Sequence, residues 1–295
     1  MLTDFPLLQD EPLAKYTAAR LGGAADWLYI ARESNEQLVE VVGAAWAEGV
    51  PVRVLGGGAN VLVSDAGFRG LVVINRVGKA AFRDDGVTVT AGMSLTVLAR
   101  KCASKGLSGF EWAVSIPGTV GGAVVNNAGA HGGDMAGCLR SAALVDADQT
   151  RTQMLTNADL TYDYRSSSLK ARADRHFLVT MATLALAKDD PAAINRRMDE
   201  FIAQRKRTQP PGASLGSIFK NPPGDYAGRL IDLCGLKGTR VGGAQVSPVH
   251  ANFFINTGSA TASDYYALIR LVRDTILEKT GVALETEVEL VGEGF

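Results

Sequence analysis

Apolar and polar residues follow two different periods along this chain, and the periods separate predicted helices from predicted strands. A three- to four-residue period after Ser34 predicts a helix over 35–48, and Gln37 three positions after the serine predicts a capping box. Further helices are predicted from Ser94 to Gly106, from Asp190 onward, near 225–234 and over 261–280. Short β-branched or apolar runs predict strands at 52–55, 61–63, 71–77, 86–92, 142–147, 176–186 and 250–258.

The helix start formed by Asp190 and Pro191 predicts a domain boundary near residue 190. Residues 205–228 follow that helix and are rich in Pro, Gly and Ser with almost no periodicity. This segment is longer than a simple connection requires, so the sequence predicts a functional loop there.

Two glycine clusters carry the first chemical signal. One is SIPGTVGG at 115–122, and the other is the glycine triplet at 56–58 inside VRVLGGGANVLV. Glycine lets the backbone approach a ligand without a clashing Cβ, and successive free N–H groups form an anion-binding nest. Either cluster alone could simply make turns between strands, but the two together predict a nucleotide cradle.

The residues after the glycine triplet at 56–58 exclude two common nucleotide folds. A dinucleotide-binding fingerprint should lead into a helix, whereas 61–63 is short, β-branched and typical of a strand. No Gly-Lys-Ser/Thr follows any glycine loop, so the phosphate-binding loop of NTPases is excluded. A strand, loop and strand arrangement would instead hold pyrophosphate through backbone amides.

The composition limits the classes of binding partner that the sequence supports. Thirty basic and thirty-one acidic residues give a net charge of −1, which offers no electrostatic case for nucleic acid or an anionic membrane. The first sixteen residues lack a basic start and an apolar segment, and no run of eighteen apolar residues occurs, so we expect a cytoplasmic protein. Three separated cysteines and three histidines predict neither a disulfide framework nor a metal site.

Five separated motifs together resemble the UDP-N-acetylenolpyruvoylglucosamine reductase family. They are the two glycine clusters, YRSSS at 164–168, GSIFKNP at 216–222 and LETEV at 284–288, in the family's order. The similarity runs from about residue 15 to the C-terminus. It implies a flavoenzyme that uses NADPH and FAD to reduce UDP-N-acetylglucosamine enolpyruvate to UDP-N-acetylmuramate, in peptidoglycan precursor synthesis for the cell wall.

The resemblance implies an α+β fold with a vanillyl-alcohol-oxidase-type FAD-binding region of two subdomains and a C-terminal α+β substrate-binding domain. We place these at 1–75, 76–189 and 190–295. It also implies noncovalent FAD, because no histidine for flavin attachment occurs over 55–65. We further expect a monomer of the family's shorter form, since no long tyrosine-bearing insertion lies between Arg165 and Ser217.

Site residues are carried over from the same resemblance. The FAD contacts it implies are Leu55, Gly56, Gly57, Gly58, Ala59, Asn60, Ser115, Ile116, Pro117, Gly118, Thr119 and Gly122. Arg165, Ser217 and Glu287 match the three catalytic positions, and Lys220 and Asn221 would contact the UDP part.

The implied reaction needs these residue types. Hydride transfer to the enolpyruvyl methylene carbon leaves a strongly basic carbanion that even a serine hydroxyl can protonate, which suits Ser217. Arg165 would supply a planar cationic fork to the carboxylate, and Glu287 could stabilise the same group if protonated or hydrogen-bonded. From periodicity alone Glu285 is an equal candidate, and the serine and arginine could be a turn residue and a surface residue.

Two positions depart from the family pattern, and two other functions stay open. Ala59 stands where serine is usual, and His131 stands where tyrosine is common. One alternative is another noncovalent-FAD oxidoreductase of the same cofactor fold that acts on an alcohol or sugar. A non-enzymatic nucleotide-binding module is the other, but it would not need Arg165, Ser217 and Glu287 together.

Overall fold

The computed structural model describes residues 1–147 and 152–295, which form two compact units. Unit 1 contains Met1–Leu8, Trp27–Gly57 and Gly70–Arg205, and unit 2 contains Gln9–Asp26, Gly58–Arg69 and Lys206–Phe295. Unit 2 thus includes residues 9–26 and 58–69, which the sequence-based division assigns to the first subdomain. The division into three domains stays a prediction.

The helices are α1 Asn35–Ala47, α2 Leu95–Ser104, α3 Val120–Asn126, α4 Ser168–Ala171, α5 Pro191–Thr208, α6 Ala227–Leu233 and α7 Ala262–Thr280, with 3₁₀ turns at Leu2–Asp4, Leu13–Tyr16 and Glu111–Ser115. The strands are β1 Leu8–Pro12, β2 Ala24–Ala31, β3 Val52–Leu55, β4 Val61–Val63, β5 Phe68–Asn75, β6 Ala80–Arg83, β7 Gly86–Thr90, β8 Leu107–Ser108, β9 Gly129–Ala130, β10 Gly133–Asp134, β11 Leu139–Asp146, β12 Gln153–Thr156, β13 Phe177–Ala185, β14 Ala187–Lys188, β15 Ala213–Ser217, β16 Arg240–Val241, β17 Ala244–Val246, β18 Phe253–Asn256 and β19 Glu289–Val291.

Local capping chemistry fixes the ends of the helices. The Ser34 hydroxyl accepts the N–H of Gln37 at the start of α1, but the Gln37 side chain donates to Glu33, so the predicted capping box is only half formed. In α7, Thr261 forms the complete box with Asp264, and Gly281 closes the helix with φ +72°. The sequence predicts that the Ser94 side chain caps α2, and this prediction is wrong, because α2 begins after Ser94 without a side-chain cap bond.

Unit 1 contains two apolar cores. The larger one lies on a five-stranded antiparallel sheet with the order β12-β11-β13-β7-β6, covered by α2, α3 and the first half of α5. The smaller one packs α1 against the parallel pair β3 and β5, in which Val52 lies opposite Leu71. The glycine loop at 56–58 follows β3 of the smaller core, and the loop that begins at 115 follows the 3₁₀ turn Glu111–Ser115 of the larger core.

Unit 2 packs α6 and α7 on an antiparallel sheet with the order β15-β18-β17-β16. Tyr265 and Phe254 are fully buried in this core, and the Tyr265 hydroxyl donates to the Phe254 carbonyl. Outside that sheet, β4 pairs in parallel with β19, with Val61 opposite Glu289. The strand predicted at 61–63 is therefore confirmed.

Several elements differ from the sequence prediction, and two of the differences lie next to predicted site residues. The segment 205–228 is not irregular throughout, because α5 continues to Thr208 and β15 follows at Ala213. The helix α3, directly after the second glycine loop, was not predicted, since two of its seven residues are glycines with poor helix propensity.

Candidate active site and cofactor cradle

The two glycine loops meet in unit 1. A Cβ added to Gly56 would lie 2.1 Å from the Thr119 Oγ1, and one added to Gly57 would lie 3.0 Å from the Gly118 Cα. Gly118 itself has φ +128°, a conformation that side chains rarely allow. Gly56 therefore leaves room for the Thr119 side chain, and Gly57 lets the first loop lie against the backbone of the second.

The second loop is hydrogen-bonded to the backbone at the start of α2 and just before it. The Leu95 N–H donates to the Gly118 carbonyl at 3.2 Å, and the Val120 N–H donates to the Met93 carbonyl at 2.9 Å. Among the described residues, no protein acceptor takes the N–H groups of Gly57, Gly118 or Thr119. These donors are available to an anion.

The 3₁₀ turn that leads into this loop is anchored by a buried carboxylate. Glu111 accepts the Arg197 guanidinium at 2.7 Å, the Ser108 hydroxyl at 2.8 Å and the Gly109 N–H at 2.7 Å. Burial alone raises the pKa of Glu111, but the hydrogen bonds, that from Arg197 first, outweigh burial and lower it. Glu111 thus stays ionised and holds the turn that ends at Ser115.

A cleft of about 470 Å³ opens at this junction. It is lined by Gly57, Arg76, Gly78, Gly92, Met93, Ser94, Val97, Pro117, Gly118 and Thr119. Sequence reasoning missed Arg76 and Ser94 as lining residues. No signal in the sequence marks either residue; the structure shows Ser94 before α2 without a side-chain cap bond, so its hydroxyl is available for other partners.

Polar atoms in the second glycine loop and in α3, which follows it, fit a dinucleotide cofactor. Within residues 1–147 and 152–295, the Ser115 Oγ and the Asn126 Oδ1 are buried and accept or donate no hydrogen bond. Gly122 is exposed, and a Cβ there would come no closer than 3.9 Å to the Thr119 Oγ1, so the protein itself does not require this glycine. The residues present therefore fit FAD.

The remainder of the first loop belongs to unit 2. Gly58 has φ +58°, and a Cβ there would lie 2.2 Å from the Tyr16 carbonyl oxygen. The Ala18 N–H donates to the Gly58 carbonyl. Asn60 then donates its side-chain amide to the Glu287 carbonyl at 3.1 Å. The predicted FAD residue Asn60 and the predicted catalytic residue Glu287 are thus direct neighbours.

Arg165 is held in a turn of unit 1 in a conformation unusual for a residue with a side chain. Its φ is +54°, and the Lys170 ammonium donates to its carbonyl at 3.1 Å. Its guanidinium donates to the Gly129 carbonyl at 2.7 Å and to the Asn127 carbonyl at 3.4 Å. The fork is fixed rather than free to rotate.

Asn127 organises the surroundings of that turn. It ends α3 with φ +45°, and its side chain donates to the Asp163 carbonyl and accepts the Ala136 N–H. Asp163 in turn forms the bridge with Ser166 that contains the predicted catalytic arginine. Sequence reasoning missed Asn127 as a positioning residue; the signal is an asparagine in place of a C-capping glycine.

Ser217 in unit 2 follows a β-bulge. Ser214 lies opposite Ile255 and Ser217 opposite Phe253, so β15 contains one residue more than β18 over this stretch. Gly216 supplies the extra residue with φ +75°. Bulges of this kind re-aim a side chain next to active sites, and here the side chain is the predicted proton donor.

The backbone after Ser217 is clamped by Asn252, which sequence reasoning also missed. The Asn252 side chain is buried, accepts the Phe219 N–H at 3.0 Å and donates to the Phe219 carbonyl at 2.8 Å, while its carbonyl accepts the Ile218 N–H. The signal for Asn252 is an amide side chain among the apolar residues of the strand predicted at 250–258, because a buried amide has to find hydrogen-bond partners.

His250 supports the same clamp. Its Nδ1 accepts the Asn252 N–H at 3.3 Å, which requires a neutral ring. Burial lowers the pKa of His250 from its ordinary value; a backbone hydrogen bond opposes this in part, and the Lys237 charge adds a smaller lowering.

The two carboxylates that periodicity could not separate have different environments. Glu285 is exposed and pairs with the Lys220 ammonium. Glu287 is half-buried, and its N–H donates to the Ile218 carbonyl at 2.8 Å, next to Ser217. The structure thus brings Ser217, Lys220 and Glu287 together in unit 2, and it places the Asn221 Oδ1 on the Ala227 N–H at the start of α6.

Comparison with known proteins places both regions in one family. The C-terminal domain of UDP-N-acetylenolpyruvoylglucosamine reductase matches residues 207–291, and an FAD binding domain matches residues 28–154. The UDP-N-acetylenolpyruvoylglucosamine reductase 2 of Symbiobacterium thermophilum is 45% identical over 96% of this chain and 91% of its own, and the Moorella thermoacetica reductase is 44% identical over 98% and 94%.

A solved structure shows the same fold. The UDP-N-acetylenolpyruvylglucosamine reductase of Thermus caldophilus superposes with a TM-score of 0.80, at 37% identity over 96% of this chain and 98% of that one. Identity and coverage of this extent leave one assignment. The chain belongs to the UDP-N-acetylenolpyruvoylglucosamine reductase family.

Proposed function

We propose that this chain reduces UDP-N-acetylglucosamine enolpyruvate to UDP-N-acetylmuramate with electrons from NADPH, through noncovalently bound FAD. One observation supports this most strongly. The Glu287 N–H donates to the Ile218 carbonyl, so a carboxyl group and the hydroxyl of Ser217 are fixed on neighbouring backbones of unit 2. Protonation of a substrate carbanion beside a stabilised carboxylate needs these two groups close together.

In this proposal the protein holds the cofactor mainly through backbone groups. The N–H groups of Gly57, Gly118 and Thr119 would hold the pyrophosphate, and Ser115 would add its buried hydroxyl. The remaining contacts are those implied by the resemblance, from Leu55 to Asn60 and at Ile116, Pro117 and Gly122. When bound, FAD supplies the hydride that the enolpyruvyl methylene carbon receives.

Three side chains divide the remaining chemistry. Ser217 gives a proton to the carbon next to the carboxylate, and the bulge at Gly216 sets the direction of its hydroxyl. Arg165 presents a fixed guanidinium to the charge that develops on the carboxylate and enolate. Glu287 stabilises the same group, and its position follows from the hydrogen bond to the Ile218 carbonyl.

Lys220 and Asn221 are proposed to bind the UDP part of the substrate. The Lys220 ammonium pairs with Glu285, whose side chain is 71% exposed. The Lys220 side chain is only 17% exposed, but the Glu285 carboxylate lies largely in solvent, so a diphosphate can take its place on the ammonium. The Asn221 side-chain amide keeps its N–H₂ group for the substrate while its Oδ1 caps α6.

We also propose a cytoplasmic monomer that binds neither nucleic acid nor membrane. The near-neutral net charge supports this, and no helix in the described ranges is long and apolar enough to cross a bilayer. Sedimentation equilibrium of the purified protein tests the monomer, and fractionation of cells tests the compartment.

The reaction is tested by separating its two halves. Ser217→Ala should leave flavin reduction by NADPH unchanged but slow flavin reoxidation by the enolpyruvyl substrate by roughly 10² to 10⁴. Ser217→Cys, which keeps a transferable proton, should recover part of the rate. Ser214→Ala, on the same strand before the bulge, is the matched control and should behave as the parent.

Two outcomes would contradict the proposal. If the parent flavin were reduced by an alcohol or sugar and not reoxidised by the enolpyruvyl substrate, the chain would be a different FAD oxidoreductase. If Ser217→Ala reoxidised at the parent rate with product formed, the proton would come from another group.

A further inference from the structure

The backbone of Glu287 is held from two sides. Its N–H donates to the Ile218 carbonyl at 2.8 Å, and its carbonyl accepts the side-chain amide of Asn60 at 3.1 Å. Asn60 is also bonded through its main chain, because its carbonyl accepts the Glu289 N–H at 3.0 Å. Two bonds therefore join Asn60 to the segment that carries Glu287.

The register of unit 2 explains why Asn60 takes this role. The parallel ladder of β4 and β19 begins with Val61 opposite Glu289, so Asn60 stands just before β4 and Glu287 two residues before β19. Backbone pairing ends here with the bond from the Glu289 N–H to the Asn60 carbonyl. The Asn60 side chain adds one further hydrogen bond to the ladder and restrains Glu287 where the strand would otherwise fray.

We propose that Asn60 is a positioning residue for Glu287, in addition to its expected place in the FAD loop. The inference rests on the proposed function, in which Glu287 stabilises the substrate carboxylate. Asn60 does not touch the reacting atoms in this role. It sets the direction of the Glu287 side chain by fixing its carbonyl, and displacement of a catalytic group by about 1 Å can cost roughly 10²-fold in rate.

The first experiment measures positioning without turnover. Asn60→Leu removes the donor without adding charge, and Asn60→Ser is a smaller second variant that cannot reach the Glu287 carbonyl. In both, amide hydrogen exchange of a peptide covering 284–289 should become at least about tenfold faster. Asn256→Leu is the control, because the Asn256 side chain donates to the Ala19 carbonyl in the same unit. Unchanged exchange over 284–289 in both Asn60 variants would overturn the proposal.

The second experiment measures the catalytic consequence by rapid mixing. In FAD-loaded Asn60→Leu, flavin reoxidation by the enolpyruvyl substrate should be roughly 10- to 100-fold slower than in the parent, and this loss should exceed any change in flavin reduction by NADPH. In a Glu287→Gln background the same substitution should change reoxidation by less than about twofold, because the two residues act as one unit. A full additional loss in that background would overturn the role through Glu287.

Flavin affinity separates the remaining explanations. If Asn60→Leu weakened FAD binding to the apoprotein while reoxidation of the loaded enzyme stayed at the parent rate, Asn60 would serve the cofactor alone and the proposal would fail. If the parent itself did not reduce the enolpyruvyl substrate, the proposed function would fail. The exchange experiment would then still decide whether Asn60 positions the Glu287 segment.

Discussion

Gly121 and Gly122 are adjacent in α3 but have different reasons to be glycine. A Cβ on Gly121 would lie 3.0 Å from the Ala91 Cβ and 3.3 Å from its carbonyl oxygen, so the helix packs directly on this residue. A Cβ on Gly122 would meet nothing closer than 3.9 Å. We therefore expect Gly122 to be glycine for the sake of the bound cofactor, and Gly122→Ala tests this.

The expected changes in stability follow from these distances. Gly122→Ala should stabilise the apoprotein by about 0.5 to 1 kcal/mol through helix propensity. Gly121→Ala gains the same amount but adds an overpacking cost of about 1 to 3 kcal/mol. The free energies of unfolding of the two variants should therefore differ by about 1 to 3 kcal/mol.

FAD affinity should rank the two variants in the opposite order to stability, with Gly122→Ala the weaker binder. A methyl group on Gly122 enters the space proposed for the cofactor, so the dissociation constant should rise at least about tenfold, or about 1.4 kcal/mol. Urea unfolding of the apoprotein followed by circular dichroism measures stability, and quenching of flavin fluorescence measures binding. A Gly122→Ala protein that gained stability and bound FAD as tightly as the parent would refute the assignment of Gly122 to the cradle.

Two further predictions concern Arg165 and His250. Arg165→Lys keeps the charge but loses the planar fork that contacts the Gly129 carbonyl. Steady-state kcat should therefore fall roughly 10²-fold, while KM for the enolpyruvyl substrate changes little. Unchanged kcat with a raised KM would assign Arg165 to binding. His250 is neutral in the fold with a lowered pKa, so the unfolded chain takes up the proton first and stability should be lost as pH falls below about 6.5. His250→Asn, which keeps an acceptor for the Asn252 N–H, should reduce this pH dependence in urea titrations at pH 5 to 7, whereas the exposed His176→Asn should leave it unchanged; equal slopes in all three proteins would contradict the assignment.

Local signals in the sequence predicted the elements that depend on neighbouring residues. The extent of α7 was predicted from its amphipathic period over 261–280, and the helix runs from Ala262 to Thr280. The physical cause lies within a few residues of the signal, so one sequence is enough there. Glycine alone predicted a close approach of the backbone to a ligand, whereas the contact of Gly56 and Gly57 with the second loop was not predicted.

Features that depend on pairing between distant segments could not be predicted in this way. β15 forms in a Pro- and Gly-rich stretch because β18 is available as a partner, and tertiary pairing outweighs local propensity there. The bond from Asn60 to Glu287 joins residues more than two hundred positions apart, and Asn252 reaches Phe219 from the turn before β18. The family resemblance named Glu287, but only the register separates its surroundings from those of Glu285.

The bulge at Gly216 makes β15 more sensitive to length than to composition. A bulge sets two residues of one strand opposite one residue of its partner, bends the bulged strand and increases its local twist. Loss of a single residue between Ser214 and Ser217 would leave a strand able to pair with β18 residue for residue, but it would remove the bend that sets the present direction of the serine hydroxyl. A deletion that conserves every side chain with a proposed chemical role could therefore abolish the proton donor, while many substitutions in the same strand would not.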